Sequence, residues 1–579
     1  MNRRFLWVIL LIVISLILGF YVGKYYRITG LQHKILRSGQ NKINETLDII
    51  SRNYVDTVDI SRLSESAVNK IISELDPHSY YVPASETESA HEDLEDSFSG
   101  IGIQFNMPFD TILVISVISG GPAEKAGLMP FDRIITVNDS VVAGREISTT
   151  KIMRMLRGPK DSKVRLGIQR GNAEKLTEFE LTRGDIPNYS VDVSYKMTDD
   201  IGYIKITKFS RSTYREFLTS IAKLKQEGAK GFIVDLRDNP GGYMESAINV
   251  INEFLPKGRL IVYMEGHTYS RTDSYSNGKG TCQDVPLVVL INELSGSASE
   301  IFSGAIQDND RGTIIGRRSY GKGLVQTKLD LSDKSEIFLT IARYYTPSGR
   351  CIQKEYELGK SEEYSHDLNI RFMHGEFYSA DSIKMNESLE FKTSGGRTVY
   401  GGGGIMPDIF IPRDTIGITS YYVSIVETGV LYQFSLTYSD KNYDRLNSFG
   451  DYHELYEYLK QQPLIDEFAD FAASKGIKKR PTLINISKKL IETQLHAFIV
   501  RNFFDYEGFY PIILKDDQTI KTAIEVISEG KWKPDVSRSY GTSQNDESLY
   551  SVEFSGNTFR KMLYAENVTG TLNNEPCKR

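Results

Sequence analysis

The stretch VPLVVLINELSGSASEIFSGAIQ, from Val285 to Gln307, joins a short apolar run to a turn of small residues and then to apolar residues with helical spacing. An apolar run of this length is typical of a strand that is buried on both faces. The segment GFIVDLRD at residues 231–238 has the same character, and a glycine-rich turn and a helical pattern follow it too. Strands that alternate with helices indicate an α/β core, which we predict to cover residues 186–415.

Segments with different residue patterns flank this core. Residues 98–183 contain short β-rich runs separated by Gly, Pro and Asp turns, which favours a separate small β domain. The remaining predicted units are an N-terminal helical region (40–97), a polar, hydrophobe-poor insertion in the core (354–400), a helical C-terminal domain (416–537) and a mobile tail rich in Ser and Asn (538–579).

An uncharged run from Phe5 to Gly23 follows Arg3 and Arg4. About 20 apolar residues span a bilayer as a helix, and the hydrophobic part of a signal peptide is normally shorter. We therefore expect residues 1–24 to be an uncleaved signal anchor. The protein would then be a single-pass protein of the cell inner membrane, with its larger part exported to the periplasm. A cleaved signal peptide is the alternative, and it exports the same part.

The composition excludes several classes of protein. The formal net charge is -6 and the isoelectric point is about 5.9, so the chain has no basic excess for nucleic acid. Three cysteines are too few for a disulfide framework or a cysteine-rich metal site, and the eight histidines are isolated, without an H-E-x-x-H motif. We therefore predict neither a metal nor another cofactor.

The segment GRRSYGKG has the spacing of a phosphate-binding loop, with Gly316, Gly321 and Lys322 in the G-x-x-x-x-G-K positions. Such a loop needs Ser or Thr after the lysine to bind the metal ion of a nucleotide, and it opens a helix. This chain has Gly323 at that position, followed by a strand-like run. The pattern therefore disfavours nucleotide binding.

A second interpretation pairs Lys322 with a serine of the turn SGSAS at residues 295–299. A serine hydroxyl at a helix N terminus lies where free amides and the helix dipole stabilise developing negative charge. A desolvated lysine serves as the base for such a nucleophile once burial lowers its pKa. Gln326 lies four residues later on the same strand face, where it would orient the amine. The alternative is a helix-capping serine among small packing residues.

Two neighbouring features would complete a site for acyl transfer. Gly241 and Gly242 form a strand-to-helix turn whose amides, with the amide of Ala298, would face a developing oxyanion. An ordinary turn is the alternative. Glu300 lies one helical turn after Ser297, where it either hydrogen-bonds the site or caps the helix, and the sequence leaves both roles open.

Seven motifs, in order along residues 43–413, resemble those of the C-terminal processing peptidases, or tail-specific proteases. They are LDPHSYY, GPAEKAGLMPFDRIITVND, DLRDNPGG, GSASEI, SYGKGLVQ, YYTPSGR and GGGGIMPD. The resemblance implies a crotonase/Clp-protease-like α/β core that carries a PDZ domain. It also implies that the nucleophile is Ser297, three residues before the motif glutamate. The general base would be Lys322 and the third member Gln326.

The PDZ-like segment contains SFSGIGIQFN, in which Gly100 and Gly102 free the backbone to present amides to a terminal carboxylate. Ile101 and Ile103 would line an apolar pocket beside them, and a substrate strand would add to the edge of the domain. We therefore expect protein substrates with exposed C termini as partners, besides the membrane through the N-terminal helix. A plain β-hairpin turn is the alternative.

The chain departs from the family pattern in this β-rich segment. Phe131 stands where the family's Pro-Gly-Asp turn has glycine, and Asp139 stands where a glycine often follows Val-Asn. We expect these changes to alter turn geometry only. The insertion at 354–400 and the helical C-terminal domain lie outside the shared core, and homo-oligomerisation or binding of an adaptor protein are the roles left open for them.

These observations predict a membrane-anchored serine endopeptidase that selects protein C termini through its PDZ domain. It would cleave peptide bonds by a Ser-Lys mechanism through an acyl-enzyme. A non-catalytic PDZ adaptor that uses the α/β core as a scaffold is the alternative. The presence of Ser297, Lys322 and Gln326 together argues against it.

Overall fold

The computed structural model describes residues 15, 42–87, 90, 94–107, 110–171, 173 and 175–534. The predicted anchor at residues 1–24, apart from Ser15, and the predicted tail at 538–579 lie outside this part of the chain. Among the described residues, no helix is long and apolar enough to cross a membrane. The anchor and the tail therefore stay predictions.

The strands are β1 (Tyr80–Val82), β2 (Ser97–Gly100), β3 (Ile103–Asn106), β4 (Ile112–Val117), β5 (Arg133–Val137), β6 (Ser140–Val141), β7 (Lys163–Gln169), β8 (Thr177–Thr182), β9 (Gly184–Pro187), β10 (Val191–Lys196), β11 (Ile201–Ile206), β12 (Gly231–Asp235), β13 (Leu260–Glu265), β14 (Thr272–Tyr275), β15 (Leu287–Ile291), β16 (Thr313–Gly316), β17 (Leu324–Asp330), β18 (Glu336–Tyr345), β19 (Glu390–Lys392), β20 (Thr398–Tyr400) and β21 (Ile409–Phe410).

The helices are α1 (42–53), α2 (Ile60–Ser73), α3 (Pro122–Ala126), α4 (Thr149–Leu156), α5 (Thr213–Gln226), α6 (Met244–Ile251), α7 (Ala298–Asp308), α8 (Ser361–Ser365), α9 (Asp367–Met373), α10 (Ser420–Glu427), α11 (Val430–Lys441), α12 (Tyr443–Leu446), α13 (Tyr452–Leu459), α14 (Leu464–Ser474), α15 (Pro481–Ile513) and α16 (Gln518–Ser528).

A six-stranded sheet forms the centre of the protein, with the strand order β10-β11-β12-β15-β16-β21. β10 is antiparallel to β11, and the other neighbours are parallel. The four inner strands are buried along their whole length, because helices cover both faces of the sheet. The prediction of an α/β core from apolar runs is therefore confirmed.

Two strand-to-helix turns lie side by side at one edge of this sheet. α6 follows β12 and α7 follows β15, and both strands run in the same direction. The N–H of Gly296 in the second turn donates to the carbonyl of Asn239 in the first at 3.0 Å. The carboxyl edge of a parallel sheet is where sites form in α/β proteins.

A second sheet brings two distant motifs to that edge. Its order is β1-β18-β13-β14, and β17 also pairs with β18 in an antiparallel hairpin. β1 belongs to the LDPHSYY motif, and β17 follows directly after Lys322. The hairpin has an irregular register between Val325 and Gln326.

The β-rich domain is a separate sheet of order β3-β4-β5-β7-β8, with β6 on β5, around its own apolar core. The chain enters through β2 and leaves through β9, and these two strands pair with each other. Phe131 and Asp139, the two departures from the family pattern, both have a left-handed backbone, with φ of 67° and 65°. The turns therefore keep a conformation that normally favours glycine.

The two segments outside the shared core are both ordered parts of the fold. Residues 354–400 contain α8, α9 and the β19–β20 hairpin, and they pack on the core through buried Tyr364 and Arg371. Helices α10 to α16 cover the face of the central sheet opposite α5 to α7, and they share one apolar core with it.

Candidate active site

Ser297 lies between β15 and α7 in an unusual backbone conformation. Its φ of 52° and ψ of −112° are rarely adopted by a residue with a side chain. Strain of this kind persists only where the surroundings hold it, and it clusters at functional sites. Here the N–H of Ser297 donates to the Glu300 carboxylate at 2.9 Å, and the hydroxyl of Tyr344 lies 3.1 Å from the Ser297 carbonyl oxygen.

The three serines of this turn differ in exposure. Ser295 and Ser299 are fully buried, and their hydroxyls donate to the backbone carbonyls of Leu236 and Asn239 at 2.8 and 2.9 Å. Ser297 is the only one of the three that is partly exposed. Its hydroxyl is therefore the one that a bound molecule can reach.

Glu300 performs both of the roles that the sequence left open. Its Oε2 accepts the N–H of Ser297, which caps helix α7, and also the N–H of Lys322 at 2.9 Å. Its Oε1 accepts the N–H of Gly321 at 2.7 Å and the hydroxyl of Ser319 at 2.5 Å. Burial raises the pKa of this carboxyl to about 7, and the four donors act in the opposite direction.

Lys322 points its amine at Gln326. The distance from Lys322 Nζ to Gln326 Oε1 is 3.0 Å, as expected from their spacing in the sequence. Burial lowers the pKa of the amine, while the charges of Asp76 and Glu300 act to raise it. A neutral amide accepts a hydrogen bond from the amine without adding a charge, so it preserves the effect of burial.

The backbone of His78 sets the orientation of Gln326, a contact that the sequence analysis missed. Gln326 Nε2 donates to the carbonyl of His78, so the amide oxygen must face Lys322. The carboxylate of buried Asp76 holds this loop by accepting the N–H groups of His78 and Ser79 at 2.8 and 2.9 Å. An Asp followed by such N–H donors is a local turn signal, but nothing local indicates what the turn would face.

The side chain of His78 contacts a neighbouring part of the fold. Its Nε2 lies 2.8 Å from the hydroxyl of Tyr364 in the 354–400 segment. Burial and then the nearby Lys322 lower its pKa to about 4. The imidazole is therefore neutral near pH 7.

Tyr344 is a second residue that the sequence analysis missed. Its hydroxyl lies 2.5 Å from the carbonyl of Lys322 and 3.1 Å from that of Ser297. Buried Tyr344 thus contacts the carbonyls of the same two loops whose amides Glu300 binds. In the described part of the chain, Ser297 Oγ and Lys322 Nζ make no hydrogen bond to each other, and the two residues are connected through Glu300 and Tyr344.

Gly241 provides space beside the serine. A Cβ on Gly241 would lie 2.7 Å from Ser297 Cβ and 2.9 Å from the nitrogen of Ala298. The N–H of Gly241, however, donates to Asn239 Oδ1 at 2.9 Å, so this predicted oxyanion donor is already occupied. Within the described ranges, the N–H groups of Gly242 and Ala298 have no hydrogen-bond acceptor.

The four residues of the predicted carboxylate-binding loop, 100–103, differ in their position and burial. Gly102 has a φ of 80°, which permits the turn, and Gly100 lies in the β2–β9 ribbon. Ile101 is 3% exposed and belongs to the core of the domain, while Ile103 is half-buried on β3. Among the described strands, β3 pairs with β4 alone, and a further strand could add to its other edge.

No group of three or more metal-ligating side chains occurs among the described residues. The buried polar groups around Ser297 and Lys322 are matched with donors and acceptors from the chain itself.

Family models match three parts of the chain. Peptidase family S41 matches residues 200–359, the PDZ domain matches residues 99–181, and a family of unknown function matches residues 421–505. The first includes Ser297 and Lys322, and the second includes the predicted carboxylate loop.

The chain belongs to peptidase family S41, the carboxy-terminal processing serine proteases, and it carries a PDZ domain. It is 36% identical to the carboxy-terminal processing protease CtpA of Bacillus subtilis (strain 168) over 54% of this chain and 67% of that protein. It is 33% identical to a probable CtpA-like serine protease of Staphylococcus aureus (strain N315) over 57% of this chain. The match spans 66% of the length of that Staphylococcus protein.

A solved structure of a photosystem II D1 C-terminal processing protease is 28% identical, over 53% of this chain and 89% of that chain. Its TM-score is 0.32, which is too low to support an inference about the fold. The resemblance noted in the sequence motifs is confirmed by the family and sequence matches.

Proposed function

We propose that this chain is a serine endopeptidase in which Ser297 is the nucleophile and Lys322 the general base. The observation that carries the proposal is the exposure of Ser297 between two buried serines, on a backbone that shares one carboxylate oxygen with the lysine loop. Burial of the Lys322 amine supports its role, because a neutral amine has the lone pair that a base needs.

The first half of the reaction forms an acyl-enzyme. Lys322 Nζ takes the proton of Ser297 Oγ as that oxygen attacks the carbonyl carbon of the substrate. The N–H groups of Gly242 and Ala298 are the donors best placed for the oxyanion. The tetrahedral intermediate collapses, the C–N bond breaks, and the departing amine takes the proton from Lys322. In the second half, Lys322 deprotonates a water molecule that releases the acyl group.

We propose that the protein recognises its protein substrates by their C termini. The PDZ match and the open edge of β3 support recognition by strand addition, with the terminal carboxylate near Gly102. We also propose the crotonase/Clp-protease-like arrangement for the core, supported by the parallel strands with a helix after β12 and β15.

We propose the membrane anchor and the export of the catalytic part on the sequence of residues 1–24 alone. The uncharged run from Phe5 to Gly23 supports the anchor. Full-length protein should remain with membranes after carbonate extraction. Recovery of a soluble protein that lacks the first ~25 residues would favour a cleaved signal peptide instead.

The experiment for the catalytic proposal compares the wild type with Ser297→Ala on candidate envelope proteins, with fragments read by mass spectrometry. Loss of a nucleophile should reduce the rate by as much as about 10⁶-fold. Ser295→Ala and Ser299→Ala are the matched controls, because they remove only buried structural hydrogen bonds, each worth about 1 kcal/mol of stability, and should retain most of the activity. Cleavage by Ser297→Ala at the wild-type rate would refute the mechanism. Retained binding without any cleavage by the wild type would favour the adaptor.

A further inference from the structure

The helical C-terminal domain, of which residues 421–505 match a family of unknown function, makes contact with two other parts of the chain. Toward the PDZ domain, it contributes residues of α11, α12 and α15, and toward the protease core it contributes the C-terminal end of α15 and α16. Leu113, Ile115 and Phe131 of the PDZ domain belong to the same apolar core as these helices. The PDZ domain therefore has one face that is covered by helices rather than by water.

Phe131 has the largest side chain of these three buried residues. It is 5% exposed, and its ring centroid lies 5.5 Å from that of Tyr443 and 5.8 Å from that of Phe503. Its left-handed backbone, with φ of 67°, is a conformation in which a bulky side chain is strained. A strained position that holds a buried aromatic ring indicates that the ring is needed where it lies.

A polar contact also joins the PDZ domain to the helices, two residues along the chain from Phe131. Arg133 forms an ion pair with Asp440 of α11, and both side chains are 28% exposed. The helices therefore hold the PDZ domain by an ion pair as well as by aromatic packing.

The same helices are fastened to the protease core. Tyr510, which follows the break of α15 at Asp505, donates to Asp192 of β10 at 3.0 Å. Arg237, next to the turn that contains Gly241, pairs with Asp517 at 2.6 Å. Phe503 before the break and Tyr510 after it thus contact the two different domains.

We propose that the helical C-terminal domain is a docking platform that holds the PDZ domain in one orientation relative to the protease core, with Phe131 as its buried anchor. The β2–β9 ribbon alone would tether the PDZ domain at one end and leave it free to swing. The proposal goes beyond the proteolytic function and does not depend on it, because it concerns a distance between domains.

The test measures that distance in the full chain. Fluorophores are attached at exposed Lys125 of the PDZ domain and exposed Lys257 of the core through unnatural amino acids, and single-molecule energy transfer is recorded. The wild type should give one narrow population. Phe131→Gly should give a broad or divided distribution, because glycine keeps the left-handed turn while it removes the ring. Amide exchange of residues 112–117 should rise about tenfold or more.

Asp139→Gly is the matched control. Asp139 has nearly the same left-handed φ, but its exposed side chain pairs with Arg165 of its own domain. This variant should keep the narrow population of the wild type. Equal broadening in both glycine variants would overturn the proposal, because glycine itself would then be loosening the domain.

A charge swap tests the interface from its other side. Asp440→Arg places two cations together and should broaden the distribution, and the addition of Arg133→Asp should restore the narrow population.

A single narrow population in Phe131→Gly would overturn the proposal. The same measurements in a Ser297→Ala background should give the same result, so failure of the catalytic assignment is distinguishable from failure of the docking role.

Discussion

The backbone amides of Ser297 and Lys322 donate to the same atom, Oε2 of Glu300, at 2.9 Å each. One buried carboxylate thus sets the distance between the loops of the proposed nucleophile and the proposed base. The hydroxyl of Tyr344 lies within hydrogen-bond distance of the carbonyls of the same two residues. In the proposed mechanism, the backbone therefore positions Ser297 and Lys322 before their side chains react.

Glu300→Gln should impair catalysis strongly, although the substitution hardly changes the size of the side chain. Four donors face the carboxylate, and a glutamine would turn its own NH₂ toward two of them. A buried donor without an acceptor costs about 1–3 kcal/mol, and a misplacement near 1 Å costs about 10²-fold in rate. We expect kcat to fall by about that factor, measured beside the free energy of unfolding in urea.

Glu253→Gln is the control for that loss. Glu253 is also buried, and it accepts the hydroxyl of Tyr214 and the N–H of Thr281 at 2.8 and 2.9 Å, away from the site. It should lower stability and leave kcat almost unchanged. Similar kcat in the two variants would show that Glu300 does not position the pair.

Lys322→Arg should be inactive at every pH. Arginine stays protonated in ordinary protein sites, so it has no lone pair to accept the serine proton. In the wild type, burial lowers the pKa of Lys322, and in the proposed mechanism the deprotonated amine is the active form. The rate should therefore rise with pH and be lost on acidification, and protonation of Glu300, with its pKa of about 7, adds to that loss. Substantial activity in the arginine variant would exclude the Ser-Lys mechanism.

Gln326→Glu should move the pH profile in a defined direction. A carboxylate 3.0 Å from Lys322 Nζ would stabilise the ammonium form and raise the pKa of the lysine. The acid limb of kcat/KM should then shift to higher pH, and the maximal rate should fall because glutamate cannot donate to the carbonyl of His78. An unshifted acid limb would mean that Lys322 does not control it.

Gly241→Ala should abolish most of the activity. Its φ of 112° is strained for alanine, and the new Cβ would lie 2.7 Å from Ser297 Cβ, so the serine must move. We expect a loss of about 10²-fold or more in kcat/KM. Gly258→Ala is the control, since Gly258 has a φ of 83° with nothing within 4 Å of the new Cβ. If both variants lose activity equally, backbone strain rather than crowding at Ser297 is the cause.

The local pattern of apolar residues was sufficient to predict strands of the central sheet. β12 and β15 are apolar runs because both of their faces are covered, and burial on both faces leaves an unbroken apolar pattern. The spacing of Lys322 and Gln326 likewise predicted their contact, because both lie on one short segment. Such features depend only on neighbours in the chain.

The partners of these segments depended on tertiary structure. Gln326 Nε2 meets the carbonyl of His78 across 248 residues, and Phe131 meets Phe503 across two domains. The availability of Gly242 N–H rather than Gly241 N–H depended on how Asn239 is turned. Sequence determined the strand-turn-helix units and the residue types at their ends. Only the packing of distant segments decided which serine is exposed, which amide is free and what Glu300 binds, because hydrogen-bond partners and burial are properties of the folded neighbourhood.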